Sequence, residues 1–219
     1  CFPAGGVLCG AARWLWAVLA QATGMSGVLF AAIAACLPIL VTGGIHMDGY
    51  LDTVDALSSH QTREKKLAIM KDANCGAFAV IYGGVYLLAY AGFAYEVFAA
   101  GHILLICPLF VLSRALSGLC AVNLPNARMS GMLCAFTSGV QRRTATVALT
   151  LVGLAAAAGM VWMSPTAGGM AAAFVVVSAL KYRRFALAQF GGVTGDTSGF
   201  FLQLCELCGL IGIWIGGLL

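Results

Sequence analysis

Two long apolar runs decide the fold class: residues 77–98 read AFAVIYGGVYLLAYAGFAYEVF, and residues 102–123 read HILLICPLFVLSRALSGLCAVN. A helix that spans a membrane needs about 20 mainly apolar residues, which each run supplies. Each run contains a single acidic or basic residue, Glu96 in the first and Arg114 in the second. The two runs therefore predict a pair of membrane-spanning helices joined by a very short hairpin.

The composition of the whole chain extends this prediction. Its 219 residues are 61% hydrophobic and 9% charged, whereas soluble domains average about 45–50% apolar and about 25% charged residues. One core of this size cannot hide so much apolar surface, which argues against a soluble enzyme or a disordered chain. Nine scattered cysteines do not form a disulfide framework, and a net charge of +4 is too small for a nucleic-acid partner. We expect an all-α polytopic membrane protein, a single membrane-embedded domain over residues 1–219 in a lipid bilayer.

Six to seven spanning helices are predicted, with the sixth candidate short and rich in glycine and alanine. The candidates are 5–23, 27–45, 77–98, 102–123, 144–163, 166–182 and 199–218. Three polar intervals, 46–76, 124–143 and 183–198, contain or adjoin ten of the twelve lysines and arginines. Seven spans place all three intervals on one side of the membrane, and the positive-inside rule assigns that side to the cytoplasm.

The first polar interval opens with a cluster of carboxylates in residues 43–55, GGIHMDGYLDTVD. On a helix Asp48, Asp52 and Asp55 share one face, because they are spaced i, i+4 and i+7. Such carboxylates repel one another, and a hard divalent cation relieves that repulsion. Mg²⁺ takes oxygen ligands and keeps positions for substrate phosphates, so the spacing predicts a metal site that holds a diphosphate. The alternative is a solvated helix N-terminus, where aspartate is favoured by capping and by the helix dipole.

Two further segments carry polar residues of the same kind. In residues 69–78, IMKDANCGAF, Lys71 offers a charge to phosphate or belongs to an ordinary basic loop, and Asp72 is a metal ligand or proton acceptor. In residues 191–199, GGVTGDTSG, the glycines allow backbone N–H groups to approach an anion, and Asp196 suits a cation that bridges to phosphate.

Charged and polar residues inside the predicted spans add to these candidates. Glu206 and Arg114 are costly in a membrane unless they are functional or paired. We expect Glu206 and Gln203 to share a helix face toward the site, and Arg114 either to bind phosphate or to pair with Glu206 or an aspartate. His46 is a metal ligand, a proton carrier or a phosphate donor. At a helix end, Asn123, Asn126 and Arg128 either line the site or form an ordinary polar loop, and the ordinary loop is favoured.

The motifs, in order and spacing, resemble those of cobalamin synthase, the adenosylcobinamide-GDP ribazoletransferase family. The resemblance covers residues 44–55, 69–78 and 191–196, with Gln203 and Glu206 beyond them. It departs at Ala56, where the family commonly has glycine. Members usually carry a further N-terminal stretch, so we expect that the chain lacks the native start.

The resemblance implies a transferase of cobalamin (vitamin B12) biosynthesis that requires Mg²⁺. Such an enzyme joins adenosylcobinamide-GDP to α-ribazole or its 5′-phosphate, forming adenosylcobalamin or its 5′-phosphate and releasing GMP; the 5′-hydroxyl of ribazole is expected to attack the corrinoid-side phosphorus. The implied site comprises the metal ligands Asp48, Asp52, Asp55 and Asp196, the substrate-binding residues Arg114, Gly192, Thr194, Gly195 and Gln203, and the catalytic residues His46, Lys71, Asp72 and Glu206. The implied location is the cytoplasmic (inner) membrane of a bacterium, with the site on the cytoplasmic face. A homo-oligomer and a complex with other late cobalamin-pathway enzymes are both left open.

Two alternatives were compared with this prediction. CDP-alcohol phosphatidyltransferases also present spaced aspartates, but their pattern needs an aspartate three residues before Asp48, where Ile45 stands, and Ala-Arg after Gly49. A cation-coupled transporter would place carboxylates near the bilayer midplane in repeated, broken helices. Here the carboxylates cluster toward one face and no internal repeat is present, so the transferase is favoured.

Overall fold

A computed structural model describes residues 2–128, 131–137 and 139–219, and within them the chain is helical with no strand. The predicted all-α fold is confirmed. A short 3₁₀ turn, Ile103–Leu105, precedes the sixth helix. The helices are α1 (Phe2–Thr23), α2 (Gly27–Thr42), α3 (Ile45–Ser58), α4 (Arg63–Ile69), α5 (Ala77–Ala99), α6 (Ile106–Asn123), α7 (Met132–Thr137), α8 (Arg142–Met163), α9 (Pro165–Phe190) and α10 (Gly195–Gly217).

Each of the seven segments predicted to span the membrane is helical, in α1, α2, α5, α6, α8, α9 and α10. Among the described residues, four helices are long and apolar enough to cross a membrane by themselves: α5, α6 with its preceding turn, α8 and α10. The bent pair of α2 and α3 makes a fifth if it is counted as one span. Apolarity and length alone thus support four to five crossings of the six to seven predicted.

Two predicted boundaries near the C-terminus are wrong, because capping residues lie elsewhere than the apolar pattern suggested. α9 runs through its basic residues to Phe190 and ends where Gly191 adopts the left-handed conformation, with φ of +77°. α10 begins at Gly195 because the Thr194 and Thr197 side chains each bond the other's backbone N–H in a capping box. Asp196 consequently lies in the first turn of α10 and not in a loop.

α10 lies at the centre of the bundle. It packs against α9, α3, α5 and α6, while α1 packs on α6 and α2, and α8 packs on α6 and α9. α6 and α10 are the most buried of the apolar helices, whereas α5 and α8 turn most of their surface outward. Outward-facing side chains such as Trp162 and Leu88 are large, apolar and exposed, as expected of a surface in contact with lipid.

A sharp bend between α2 and α3 brings the aspartate helix to the site. Gly43 and Gly44 have φ angles of +65° and +81°, which side chains with a Cβ rarely adopt. The two helices meet at 98°, and α3 then lies against the first turns of α5 and α10. The bend therefore turns α3 away from the direction of α2 and brings its aspartates to the start of α10. At its far end Ala56 is fully buried against Met70 and Phe190, so the methyl group that replaces the family glycine fills a packed contact.

Candidate active site

The three predicted polar intervals meet at one end of the bundle. Lys66 Nζ donates to Gln189 Oε1 at 2.6 Å, which joins α4 to α9. Val193 N donates to the Pro125 carbonyl, and Ala127 N donates to the Val193 carbonyl, both at 2.9 Å. The segment after α6 is thereby fixed to the turn before α10. These hydrogen bonds assemble a single polar face from segments far apart in sequence.

α3 crosses α10 at a pair of glycines. A Cβ atom on Gly49 would lie 2.7 Å from the carbonyl oxygen of Asp196, and one on Gly199 would lie 2.8 Å from that of His46. Contacts this short are essentially absent between real Cβ atoms and backbone, so only glycine permits the crossing. Because neither glycine has a side chain, the two backbones approach closely, and the carboxylates of α3 lie beside the start of α10.

Three of the four predicted metal-ligating aspartates face one another at this crossing. Asp48 is exposed, and Asp52 and Asp196 are partly buried. Burial, then the charges of Asp48 and Asp196, and to a smaller extent that of Asp55, raise the pKa of Asp52 to about 6, whereas the charge of Arg128 opposes the rise. The three carboxylates therefore repel one another, and a cation among them would be stabilised.

Asp55 also contributes charge to this group, but its carboxylate is held in place as the cap of α5. Its Oδ2 accepts from Gly76 N at 2.5 Å and its Oδ1 accepts from Ala79 N at 2.9 Å. These bonds satisfy N–H groups that lack a partner within the helix. A cap accounts for the position of Asp55, and its predicted role as a metal ligand remains a prediction.

The type of ligand atom at the site suits Mg²⁺, but the present distances between the carboxylates do not. Carboxylate oxygens are the hard ligands that Mg²⁺ prefers, and few protein ligands are needed because waters and phosphates complete its shell. Among the described residues, however, no three His, Cys, Asp or Glu side chains lie close enough to hold a metal ion together. Asp48, Asp52 and Asp196 would have to draw together around an ion, and Asp196 is already bonded elsewhere.

That bond joins Asp196 to Arg128, which the sequence analysis had assigned to an ordinary polar loop. Arg128 Nη1 lies 2.8 Å from Asp196 Oδ2, and Nη2 donates to the Leu67 carbonyl at 2.9 Å. Arg128 lies outside the helices, as predicted, and its contact with Asp196 favours the alternative that it lines the site. A usable signal was present: a cluster of aspartates needs a cation, and Arg128 lies in a polar interval predicted to be on the same side.

The glycine-rich turn before α10 divides into buried and exposed parts. Gly192 is buried against the Pro125 carbonyl, and the Thr194 side chain caps α10 by accepting from Thr197 N at 3.0 Å. Gly195 is exposed, with nothing within 4 Å of the position that its Cβ would take. Of the three residues predicted to bind substrate here, Gly195 presents the start of α10 openly, where N–H groups and the helix dipole favour an anion.

The remaining predicted residues of α10 lie deep in the bundle. Glu206 forms an ion pair with Arg114, both 2% exposed, and Gln203 accepts a hydrogen bond from the Tyr86 hydroxyl. Of the two roles predicted for Arg114, the structure shows the pairing with Glu206. Ten residues separate Asp196 from Glu206, which is about 15 Å along a helix. The predicted site thus consists of a polar face and a separate buried cluster.

His46 lies between these two regions. Its backbone contacts Gly199, which lies three residues after Asp196 and seven before Glu206 on α10. Burial, and then the positive charge of Arg114, lower the pKa of His46 to about 4. The imidazole is therefore neutral near pH 7, with an unprotonated ring nitrogen but weakened basicity.

Lys71 and Asp72 lie on the exposed side of the polar face. Asp72 Oδ1 accepts from Asn74 N at 3.0 Å and from Asn74 Nδ2 at 2.7 Å, and these bonds lower its pKa. Lys71 is exposed. No hydrogen bond or ion pair among the described residues joins either side chain to the aspartates of α3. Their predicted catalytic roles remain predictions.

Fold and site together define a polytopic membrane protein with an acidic face at one end of a helical bundle. The family model described as Cobalamin-5-phosphate synthase matches residues 1–214. An adenosylcobinamide-GDP ribazoletransferase of Lachnoclostridium phytofermentans is 39% identical over 208 residues, 94% of this chain and 78% of the relative. Enzymes of the same name from Stutzerimonas stutzeri and Pseudomonas fluorescens are 34% and 32% identical over 97% of this chain, and over 84% and 86% of their own lengths. No solved structure matches.

The chain belongs to the cobalamin-5-phosphate synthase family. The resemblance inferred from three short motifs is thereby confirmed over almost the whole chain. Neither the CDP-alcohol phosphatidyltransferase nor the transporter alternative is favoured by these matches.

Proposed function

We propose that this protein is an Mg²⁺-dependent adenosylcobinamide-GDP ribazoletransferase of the bacterial cytoplasmic membrane. One observation carries the proposal: the family match extends over residues 1–214, and within it Asp48, Asp52 and Asp196 face one another at the polar end. A site for joining a nucleoside-diphosphate-activated substrate to an alcohol needs such clustered carboxylates, because the diphosphate enters with its cation.

The reaction breaks the bond between the two phosphorus groups of adenosylcobinamide-GDP. A ribose hydroxyl of ribazole attacks the corrinoid-side phosphorus, a new P–O bond forms, and GMP leaves with the bridging oxygen. The family description names a product with a 5-phosphate. When ribazole 5′-phosphate is the acceptor, its 5′ position is already occupied, so we assign the attack to another ribose hydroxyl. If both acceptors react in the same way, the same hydroxyl attacks in free ribazole. The attacking group is then not the 5′-hydroxyl that was expected from the sequence.

Residues of the polar face supply the contacts that this step needs. Mg²⁺, when bound, would neutralise charge on the diphosphate and on the departing phosphate. Asp48, Asp52 and Asp196 are the residues that would hold it. The exposed start of α10 at Gly195 offers backbone N–H groups to a phosphate oxygen. His46 and Asp72 are the candidates to accept the hydroxyl proton, since Glu206 is held by Arg114 inside the bundle.

Charge distribution supports a cytoplasmic active site. The polar face carries exposed basic side chains from three separate segments, including Lys65, Arg143 and Arg184. The hairpin between α5 and α6 and the junction between α8 and α9 contain no lysine or arginine. The positive-inside rule then places the polar face in the cytoplasm. Soluble nucleotide-activated substrates are found in that compartment.

A direct assay tests the proposal. The purified full chain in nanodiscs receives adenosylcobinamide-GDP with α-ribazole or its 5′-phosphate, and chromatography follows GMP and the cobalamin product. We expect equal amounts of both products, formed only with Mg²⁺ and abolished in Asp52→Asn. Glu64→Gln is the matched control, because Glu64 is an exposed acid on α4 at the same end of the bundle.

Two results would contradict the proposal. Near-normal turnover by Asp52→Asn would remove that carboxylate from the mechanism. Absence of both products from well-folded protein would mean that the site takes another substrate, and CDP-alcohol lipids would be assayed next.

A further inference from the structure

Arg128 holds a central position in the polar face. Its guanidinium donates to Asp196 on α10 at 2.8 Å and to the Leu67 carbonyl of α4 at 2.9 Å. Its own segment is fixed to the turn before α10 by the backbone hydrogen bonds of Ala127 and Val193. One side chain thus connects the three segments that form the site.

Arg128 also provides positive charge where the carboxylates need it. It and Arg114 are the two arginines that form an ion pair with a carboxylate among the described residues, and Arg114 lies deep in the bundle. The charge of Arg128 reaches Asp52 as well as Asp196. In a site of mutually repelling aspartates, this guanidinium already does part of what a divalent cation would do.

The ion pair between Arg128 and Asp196 is placed where either side chain can change partners. The side chains of Arg128 and Asp196 are 18% and 25% exposed, so water reaches both and neither is an isolated buried charge. Arg128 Nε is buried and has no partner within the described part of the chain. The guanidinium therefore retains a donor that its present contacts do not use.

We propose that Arg128 is the counter-ion of the acidic site when no divalent cation is bound, and that it releases Asp196 when a divalent cation enters. Arg128 is thus a positioning residue that holds the three segments in register and competes with the ion for Asp196. This inference rests on the proposed function for the existence of the cation site. It goes further by assigning to Arg128 a role that opposes cation binding.

The proposed competition predicts the direction in which cation affinity changes when Arg128 is removed. With Arg128 present, a cation must break the Arg128–Asp196 pair and then lie near a displaced positive charge, and both effects weaken its binding. Removal of the guanidinium therefore tightens cation binding while it loosens the cation-free site. If Arg128 instead prepared Asp196 to act as a ligand, its removal would weaken cation binding.

The experiment measures the thermal unfolding midpoint of the full chain in nanodiscs at increasing Mg²⁺, starting in EDTA. For Arg128→Gln we expect a lower midpoint in EDTA, a larger rise with Mg²⁺ than in the wild type, and half-saturation at about threefold lower Mg²⁺. Arg142→Gln is the matched control. Arg142 lies at the same end of the bundle but donates to Asn123 Oδ1 and the Asn123 carbonyl, not to a carboxylate. Its response to Mg²⁺ should match the wild type.

Two outcomes would overturn the inference, and they differ from failure of the proposed function. Half-saturation at the same or a higher Mg²⁺ concentration in Arg128→Gln overturns the exchange while leaving the cation site in place. No response to Mg²⁺ in any variant overturns the cation site and the exchange together. If Arg128→Gln does not fold, Arg128→Lys serves instead: it keeps the charge but loses the two-pronged contact. Its half-saturation should fall between wild type and the value expected for glutamine, measured by Mn²⁺ titration with electron paramagnetic resonance.

Discussion

α10 carries two arginine–carboxylate pairs that are chemically alike and physically different. Asp196 pairs with Arg128 at the polar face, where the side chains are 25% and 18% exposed. Glu206 pairs with Arg114 inside the bundle, where each side chain is 3% exposed. Water can replace either partner of the first pair but neither partner of the second. Burial, more than the ion pair itself, decides which pair is a fixed part of the fold and which can change partners.

The surroundings strengthen this contrast. Arg114 also contacts Ser113 Oγ at 3.2 Å, and its guanidinium carbon lies 5.0 Å from the centre of the Phe110 ring. A second buried arginine, Arg13, stacks 4.5 Å from the centre of the Tyr90 ring. The buried pair therefore belongs to a packed cluster of four helices, α1, α5, α6 and α10. Arg128, in contrast, lies between α4 and the start of α10, where its side chain is partly exposed.

The largest expected effect comes from breaking the buried pair. Glu206→Gln or Arg114→Met leaves one buried charge without its partner, which costs about 3–5 kcal/mol of unfolding free energy. The double variant Arg114→Met with Glu206→Met removes both charges and should recover most of that loss. Unfolding in mixed detergent, followed by circular dichroism, measures the three free energies.

Glu96→Gln is the control for this cycle, because Glu96 is exposed on α5 and should change stability by less than about 0.5 kcal/mol. A single variant of the buried pair as stable as the control would mean that the pair is not closed in solution. Transferase assay of the folded double variant then separates a structural role from catalysis, since a purely structural pair leaves turnover intact.

Much of the fold follows from the sequence because apolar runs record membrane spans directly. Residues 77–98 and 102–123 were placed to within a few residues, as α5 and α6 with its preceding turn. Hydropathy does not indicate where capping residues start or end a helix, however. Thr194 starts α10 four residues earlier than the apolar pattern, and Gly191 ends α9 eight residues later than predicted.

The site was predicted less completely, since motifs identify residues but not their partners. The aspartates of α3 share a region with Asp196, because α3 crosses α10 where Gly49 meets the Asp196 backbone. Yet Asp55 turns to the start of α5, and Glu206 lies about 15 Å along the helix axis from Asp196. Arg128 was considered as a lining of the site but not favoured, because its contact with Asp196 spans 68 residues of sequence. The charge pattern suggests that the aspartates need a cation, but only the packing of separate segments shows that Arg128 is the partner of Asp196.

A moderate effect is expected at Asp55, whose partners are backbone N–H groups and not an arginine. Asp55→Ala should cost about 1 kcal/mol of stability, the usual loss when a helix loses its capping side chain. Asp55→Asn keeps an oxygen that can accept at the cap and should cost much less. Thermal unfolding in nanodiscs compares the two variants with wild type.

The same pair of variants tests the predicted metal role of Asp55. If capping is its whole role, Asp55→Asn retains turnover and its usual Mg²⁺ requirement. A folded Asp55→Asn protein that needs much more Mg²⁺ would restore Asp55 to the ligand set. Such a result would show that the carboxylate serves the cap and the ion together.

The smallest expected effect is on the pH dependence of stability, where substitutions at Asp52 and Glu206 should act in opposite directions. Without metal, the pKa of Asp52 is raised to about 6 in the folded chain by burial and by Asp48 and Asp196, above its ordinary value of 3.8. Between these two values the folded state keeps a proton that the unfolded state has lost. Stability in EDTA therefore falls as pH rises from about 4 to about 6, and the full penalty persists at pH 7.

Asp52→Asn should flatten this part of the pH profile and make the metal-free protein slightly more stable than wild type at pH 7. Glu206→Gln should make the protein less stable than wild type at pH 7, because it breaks the ion pair between Glu206 and Arg114. Unfolding midpoints measured every half pH unit in EDTA decide the matter. A profile of Asp52→Asn parallel to wild type would show that the polar-face carboxylates do not repel one another. Opposite signs for the two substitutions would show that the fully buried Glu206 stabilises the fold, whereas the partly buried Asp52 is held at the polar face at a cost that a cation can remove.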